Sequence, residues 1–470
     1  MGDRSSDASA LLGMDGFVVL SQAEEDGELW VLVETTAGLV GCPRCGVRAT
    51  GHGRSEVQVR DLPAGGRPVR LVWRKRRWAC LDTDCPAKAF TEETPLVEGC
   101  LTRRAAKEIC RRVGEDGHSV AQVARDFGVG WATAMGCVRR HGEPLVDEPG
   151  RIATTRALGI DEHKVLGATK DHHTLYATSF VDVTTGQLLD VVRGRNADDV
   201  AYWLSQGAPA WRQRIEAVAI DPHAGYLKGV LSVLPDVTVT VDHFHAVKLA
   251  NAVVDDVRRR TQQSTLGHRG HKHDPLYRTR RLMTRGWERL SDHQRDKLFC
   301  ALAEGDPTGE VGAAILGKEL LREVYAAPTL QQAHWRLVRF YGHVAEAEVP
   351  ELTRLATTIS RWEQEVLSYH VTGISTGPVE AQNLVTEKIR RIAHGMRNFE
   401  NYRLRLLLHS GVQWDTRPTA RIRGRSPQLA VIQAALAGRR QPAVGLAVAQ
   451  ASRRWPPAGE GLERWSPTWR

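Results

Sequence analysis

The sequence predicts a multidomain α/β chain, and three features lead to it. Residues 157–161 (ALGID), 215–221 (IEAVAID) and 237–242 (VTVTVD) are short apolar runs of β-favouring composition, each stopping on a carboxylate. Residues 246–370 lose that signal and keep apolar positions at helical spacing among charged ones. Upstream, two short-spaced Cys pairs precede a pair of helical segments broken at Gly128. At 470 residues the chain exceeds what one core supports, so several domains are expected.

Composition narrows the partners. With 64 Lys+Arg against 55 Asp+Glu the formal charge is +9, which favours a polyanionic partner over a small acidic substrate. Of the eight Cys, four form two couples and four are scattered, a pattern of a reduced compartment and a metal site rather than a disulfide framework. No apolar stretch approaches the roughly 18 residues of a membrane span, and the N-terminal MGDRSSDASA lacks the form of a signal peptide. A soluble, cytoplasmic protein is expected.

In chain order, residues 1–36 hold two strand-like runs about EEDGE and read as a hairpin. Residues 37–93 follow. Cys42 and Cys45 in CPRCG, then Cys80 and Cys85 in CLDTDC, have the layout of a zinc ribbon, in which two loops give four thiolates to one structural Zn²⁺. Between the pairs, VRLVWRKRRW presents Arg74, Lys75, Arg76 and Arg77 beside Trp73 and Trp78. Those cations suit a phosphate backbone, or equally a solvated strand face. Residues 94–150 read as a helix-turn-helix and its linker: Ser119 to Gln122 starts one helix, Gly128 breaks it, and Trp131, Met135 and Val138 mark the second, which ends near Arg139 and Arg140.

Residues 151–245 give three strands, a helix, a strand, a helix and a strand, an order that suits a mixed sheet opened by an antiparallel meander. This order resembles the ribonuclease H fold. Residues 246–370 form a helical insertion, and 371–412 close the domain with STGPVEAQN, where Pro378 suits the first helical turn, Glu380 lies within it and Asn383 follows one turn on. Lys388, Arg390 and Arg391 extend that helix with positive charge, and 413–470 form a basic tail. Asp161, Asp221 and Glu380 make an oxygen-only cradle suited to Mg²⁺ or Mn²⁺. Two such ions would support in-line phosphoryl transfer that cuts and joins DNA. Asp242 and His245 could stand beside the same site or cap a helix, and Asp242 is the alternative second acid. Asp221 is preferred because it follows the fourth strand.

GIDEHK, AIDPHAGY, VDHFHAVK and STGPVEAQNLVTEKIRRIAHGMRNFENYRLRLLL, with CPRCG and the second Cys pair before AKAFTEE, resemble insertion-sequence transposases of the ISL-three family over about residues 38–412. The resemblance implies a zinc-binding domain, a helix-turn-helix and a DDE catalytic domain of ribonuclease H type with a helical insertion. It implies a bacterial, nucleoid-associated enzyme that cleaves and transfers DNA at terminal inverted repeats, with a triad at Asp161, Asp221 and Glu380. Asp242 and His245 match an aspartate and histidine pair found after the second acid in related transposases. A homodimer or larger assembly on repeat and target DNA follows from the task of pairing two ends. The alternative is a transposase-derived DNA-binding regulator without catalysis.

Overall fold

The computed structural model describes residues 16–414, apart from 37, 39, 169, 171 and 172, together with Gly13. The expected tail lies, beyond Trp414, outside the described residues. Strands β1 (Phe17–Glu25) and β2 (Glu28–Thr35) form the expected hairpin about Asp26 and Gly27, whose φ angles of 51° and 75° are those of a tight primed turn. The hairpin does not stand apart. β2 runs parallel to β4 (Arg67–Cys80), which pairs antiparallel with β3 (Ala49–Ala64). Short strands β5 (Ala89–Thr91), β6 (Val97–Glu98) and β7 (Leu101–Thr102) complete a seven-stranded sheet. Its core of Phe17, Val31, Val33, Val59, Leu71 and Trp73 gathers at one end, and the four Cys lie at the other.

Three helices follow: α1 (Arg103–Gly114), α2 (Val120–Asp126) and α3 (Trp131–Val146). Ser119 accepts a hydrogen bond from the Gln122 amide and caps α2, as its sequence predicts. The linker signal at Glu143 and Pro144 is overridden, because α3 continues to Val146 with Ala134, Met135, Cys137 and Val138 buried.

The second sheet takes β8 (Ala157–Leu166), β9 (Leu175–Asp182), β10 (Leu188–Arg193), β11 (Ala217–Ile220) and β12 (Thr238–Val241) in the order β10-β9-β8-β11-β12. The first three are an antiparallel meander and β8, β11 and β12 run parallel, which is the ribonuclease H-like arrangement. Helices α4 (Ala197–Gln206), α5 (Pro209–Arg212) and α6 (Ala224–Val233) connect the strands, and Val200, Leu204, Tyr226 and Val230 join Leu158, Ile160, Phe180 and Ile220 in the core. The insertion is helical: α7 (His243–Leu266), α8 (Pro275–Met283), α9 (Asp292–Gly305), α10 (Glu310–Tyr325), α11 (Leu330–Ala347), α12 (Pro350–Arg361) and α13 (Glu363–Thr372). Its core is continuous with that of the sheet. Trp362 is buried there, but Trp335 is 59 % exposed, because it lies across α11 from Ala333, Leu337 and Phe340. The chain then returns to the sheet through α14 (Gly377–Ile392) and α15 (Phe399–Ser410).

Candidate active site

Strand register brings the acids together. In the parallel part of the second sheet Ile160 pairs with Ile220, and Ile220 with Val241. The next residues are Asp161, partway along β8, and Asp221 and Asp242, just past the ends of β11 and β12, so their backbones stand side by side, one strand spacing of about 4.8 Å apart. The residues beneath them are apolar and fully buried, which anchors the edge.

Helix α14 approaches from above. Gly159 makes room for it: a Cβ there would lie 2.3 Å from Val379 Cγ2. Glu380 sits in the first turn of α14, and one turn later Asn383 Nδ2 donates to Asp161 Oδ2 at 2.7 Å. The other Asp161 oxygen accepts the Glu162 amide, also at 2.7 Å. Burial, reinforced by the charge of Asp221, raises the Asp161 carboxyl to about 7. Glu380 is also raised, first by burial and then by the charge of Asp242. Glu162 reaches Arg195 at 3.6 Å, on the other side of the strand from Asp161.

Asp242 is held differently from Asp221. Its Oδ2 accepts the Phe244 amide at 2.9 Å, capping α7, and its Oδ1 accepts the Thr376 amide at 3.0 Å, holding the entry to α14. Burial opposes its charge, but His243, His245 and the Thr376 amide keep its carboxyl far below the usual range. His245 Nδ1 lies 2.7 Å from Asp221 Oδ1 and 3.6 Å from Asp242 Oδ2. Burial disfavours the imidazolium, yet these two carboxylates raise it to about 10. Among the described residues, Asp242, His245 and Glu380 form a group whose ligand atoms all lie within 4.8 Å of one another. Asp161 and Asp221 stand beside it along the strand ends.

Residues 158–406 match the DDE transposase domain of the ISL3 family, and residues 39–85 match the zinc finger of the transposases of IS204, IS1001, IS1096 and IS1165. The chain belongs to the ISL3 transposase family. It is similar to the transposase for insertion sequence element IS1001 from Bordetella parapertussis, 27 % identical over 403 residues, which cover 84 % of this chain and 96 % of that protein.

Two features of this ISL3 transposase fit metal ions. The Cys42, Cys45, Cys80 and Cys85 sulfurs lie within 4.8 Å of one another, with Cys42 to Cys85 at 3.8 Å and Cys45 to Cys80 at 3.5 Å. A tetrahedron of thiolates at the Zn–S distance of 2.3 Å has edges of about 3.8 Å. Gly46, with φ of 75°, turns the knuckle, and the Arg44 and Cys45 amides lower the Cys42 thiol to about 7. All four positions would be filled by protein, so a zinc held there would be structural. At the acidic edge the donors are mainly carboxylate oxygens, a set that suits a hard divalent cation.

The cations picked out in the sequence are less free than expected. Glu34 faces Arg74 at 3.4 Å and Arg76 at 3.5 Å, Lys75 lies over Trp73, and Arg77 is exposed. Arg139 donates to Asn401 on α15 at 2.7 Å, and Arg140 faces Glu98 at 3.5 Å. Arg390 donates to the Val165 carbonyl and to Glu387, Arg391 to Glu387, and Lys388 is exposed. Sequence reasoning passed over Gly159 and Thr376, which set the place of α14. A glycine in an apolar strand is itself a signal of close backbone approach.

Proposed function

We propose that this transposase binds the terminal inverted repeats of its own element and performs divalent-metal-dependent DNA cleavage and strand transfer, with Asp161, Asp221 and Glu380 as the catalytic acids. Residues 37–93 and 94–150 serve as the DNA readers, 151–245 with 371–412 as the catalytic domain, and 246–370 as its insertion. What supports this reading is the common register that sets Asp161 and Asp221 next to each other on paired strands, with Asn383 of α14, one turn after Glu380, bonded to Asp161. Mg²⁺ or Mn²⁺ held there would activate the attacking oxygen and stabilise the leaving one. The rest is done by the chain. Asn383 orients Asp161 by donating to its Oδ2, and His245 offsets the charge of Asp221 and Asp242. Asp242 takes a positioning role by capping α7 and holding the Thr376 amide at the entry to α14, and it is the alternative second acid, since its oxygens keep lone pairs beside Glu380. Pairing of two repeat ends calls for a dimer or larger assembly on DNA.

Asp161→Asn, Asp221→Asn and Glu380→Gln are each expected to abolish strand transfer from a labelled repeat duplex in Mg²⁺ while repeat binding persists. Full activity of Asp221→Asn would remove it as the second acid. Repeat binding by the unaltered protein without any cleavage would leave a DNA-binding regulator.

A further inference from the structure

The turn at residues 393–398, which joins α14 to α15, closes a cavity of about 330 Å³ against the helix-turn-helix, with Ser119, Trp131, Met135, His394, Arg397 and Arg405 in its wall. That volume is at the small end of ligand pockets, roughly 300–1,000 Å³. Arg405 makes it more than a gap. Its side chain is 4 % exposed, its Nη2 donates to the His118 carbonyl at 3.1 Å, and its buried Nε finds no acceptor. No carboxylate among the described residues offsets the charge, and burial alone pulls its pKa down to about 10. Arg258, at 3 % exposure, instead has Asp255 against it at 2.5 Å. A guanidinium does not escape its charge by losing a proton, so burying one without an anion is costly. On the rim, Arg397 is exposed and has no ion pair among the described residues. Trp131, the first residue of α3, is 51 % exposed beside it.

We infer that this cavity receives a phosphodiester of bound DNA, with Arg405 and Arg397 on the phosphate and Trp131 against the adjoining sugar or base. The inference rests on the DNA-binding reading above and deepens it. One phosphate would tie the reading helices to the turn that follows the helix of Glu380.

The test uses the zinc-loaded full chain and a terminal-repeat duplex in which single phosphates are replaced by neutral methylphosphonates. One position is expected to weaken binding about tenfold, the loss of one charge-assisted contact. In Arg397→Ala binding falls by a similar factor, that position becomes silent, and the slope of log K against log salt drops by roughly 0.9. Trp131→Ala weakens binding at the same position. Arg405→Met is expected to leave the melting temperature of the DNA-free protein unchanged or higher, since the lost charge had no partner. A large fall would make Arg405 a structural tie and overturn the inference. Wild-type affinity, slope and methylphosphonate pattern in both Arg397→Ala and Trp131→Ala would overturn it while the DNA-binding reading stands, whereas no repeat binding by the unaltered protein removes both. Saturation by millimolar inorganic phosphate with no sensitive duplex position would mark a free-anion site and overturn the duplex assignment.

Discussion

Replacing Gly159 with alanine tests whether close packing of strand and helix sets the place of Glu380. The new Cβ would lie 2.3 Å from Val379 Cγ2 and 2.7 Å from Val183 Cγ1. Carbon atoms in contact rest about 3.5–4.0 Å apart, so Val379 must withdraw by about 1.2–1.7 Å. Valine in a helix has essentially one χ1 well, so the helix moves rather than the rotamer. Glu380 is the next residue and moves with it. Overpacking of this size costs about 1–3 kcal/mol of stability, and a displacement of about 1 Å at a reacting centre costs about 10²-fold in rate. Gly159→Ala is therefore expected to lower single-turnover strand transfer about 10²-fold with repeat binding unchanged. Adding Val379→Ala should restore much of the rate, a coupling that a double-mutant cycle reads directly. Strand transfer and melting temperature equal to wild type in the single mutant would refute the reasoning.

Asn383→Ala removes the donor to Asp161 Oδ2 and should cost about 10–100-fold in strand transfer, with repeat binding intact in a gel-shift assay. Cys42→Ser combined with Cys45→Ser should abolish stoichiometric zinc, measured by atomic absorption, and weaken repeat binding, because four thiolates are needed to close the site. Asp190 accepts from Arg403 Nε at 2.7 Å and from Trp203 Nε1 at 2.9 Å, joining β10 to α15 and α4. Asp190→Ala should destabilise the chain by about 2 kcal/mol in denaturant titration, the scale of a lost charged hydrogen-bond pair.

Much of the catalytic fold was legible because its signals are local. The apolar run ending on Asp221 marks the end of β11 whatever its neighbours, whereas β8 runs on past Asp161 to Leu166, so there the run marks only the limit of the buried stretch; α4 begins and ends where its periodicity does. Thiolate spacing likewise gave the four Cys that meet at one end of the first sheet. The pairing of Ile160 with Ile220 is not local, since it joins strands about a crossover, so the side-by-side placement of the three aspartates could not be read from spacing. The partners of the basic side chains were hidden for the same reason. Glu34 reaches Arg74 and Arg76 from β2, and Asn401 reaches Arg139 from far down the chain. Helix α7 starts at His243 rather than near Ala246 because the Asp242 carboxylate accepts the Phe244 amide, a cap the sequence offered as one of two alternatives.

Asp242 begins the long insertion helix and also grips the amide at which the chain comes back 134 residues later. The whole excursion thus departs from and returns to a single side chain, like a handle fixed at one pin. A force that tilts α7, such as DNA lying along the insertion, would be delivered through that pin to the first turn of α14 and so to Glu380.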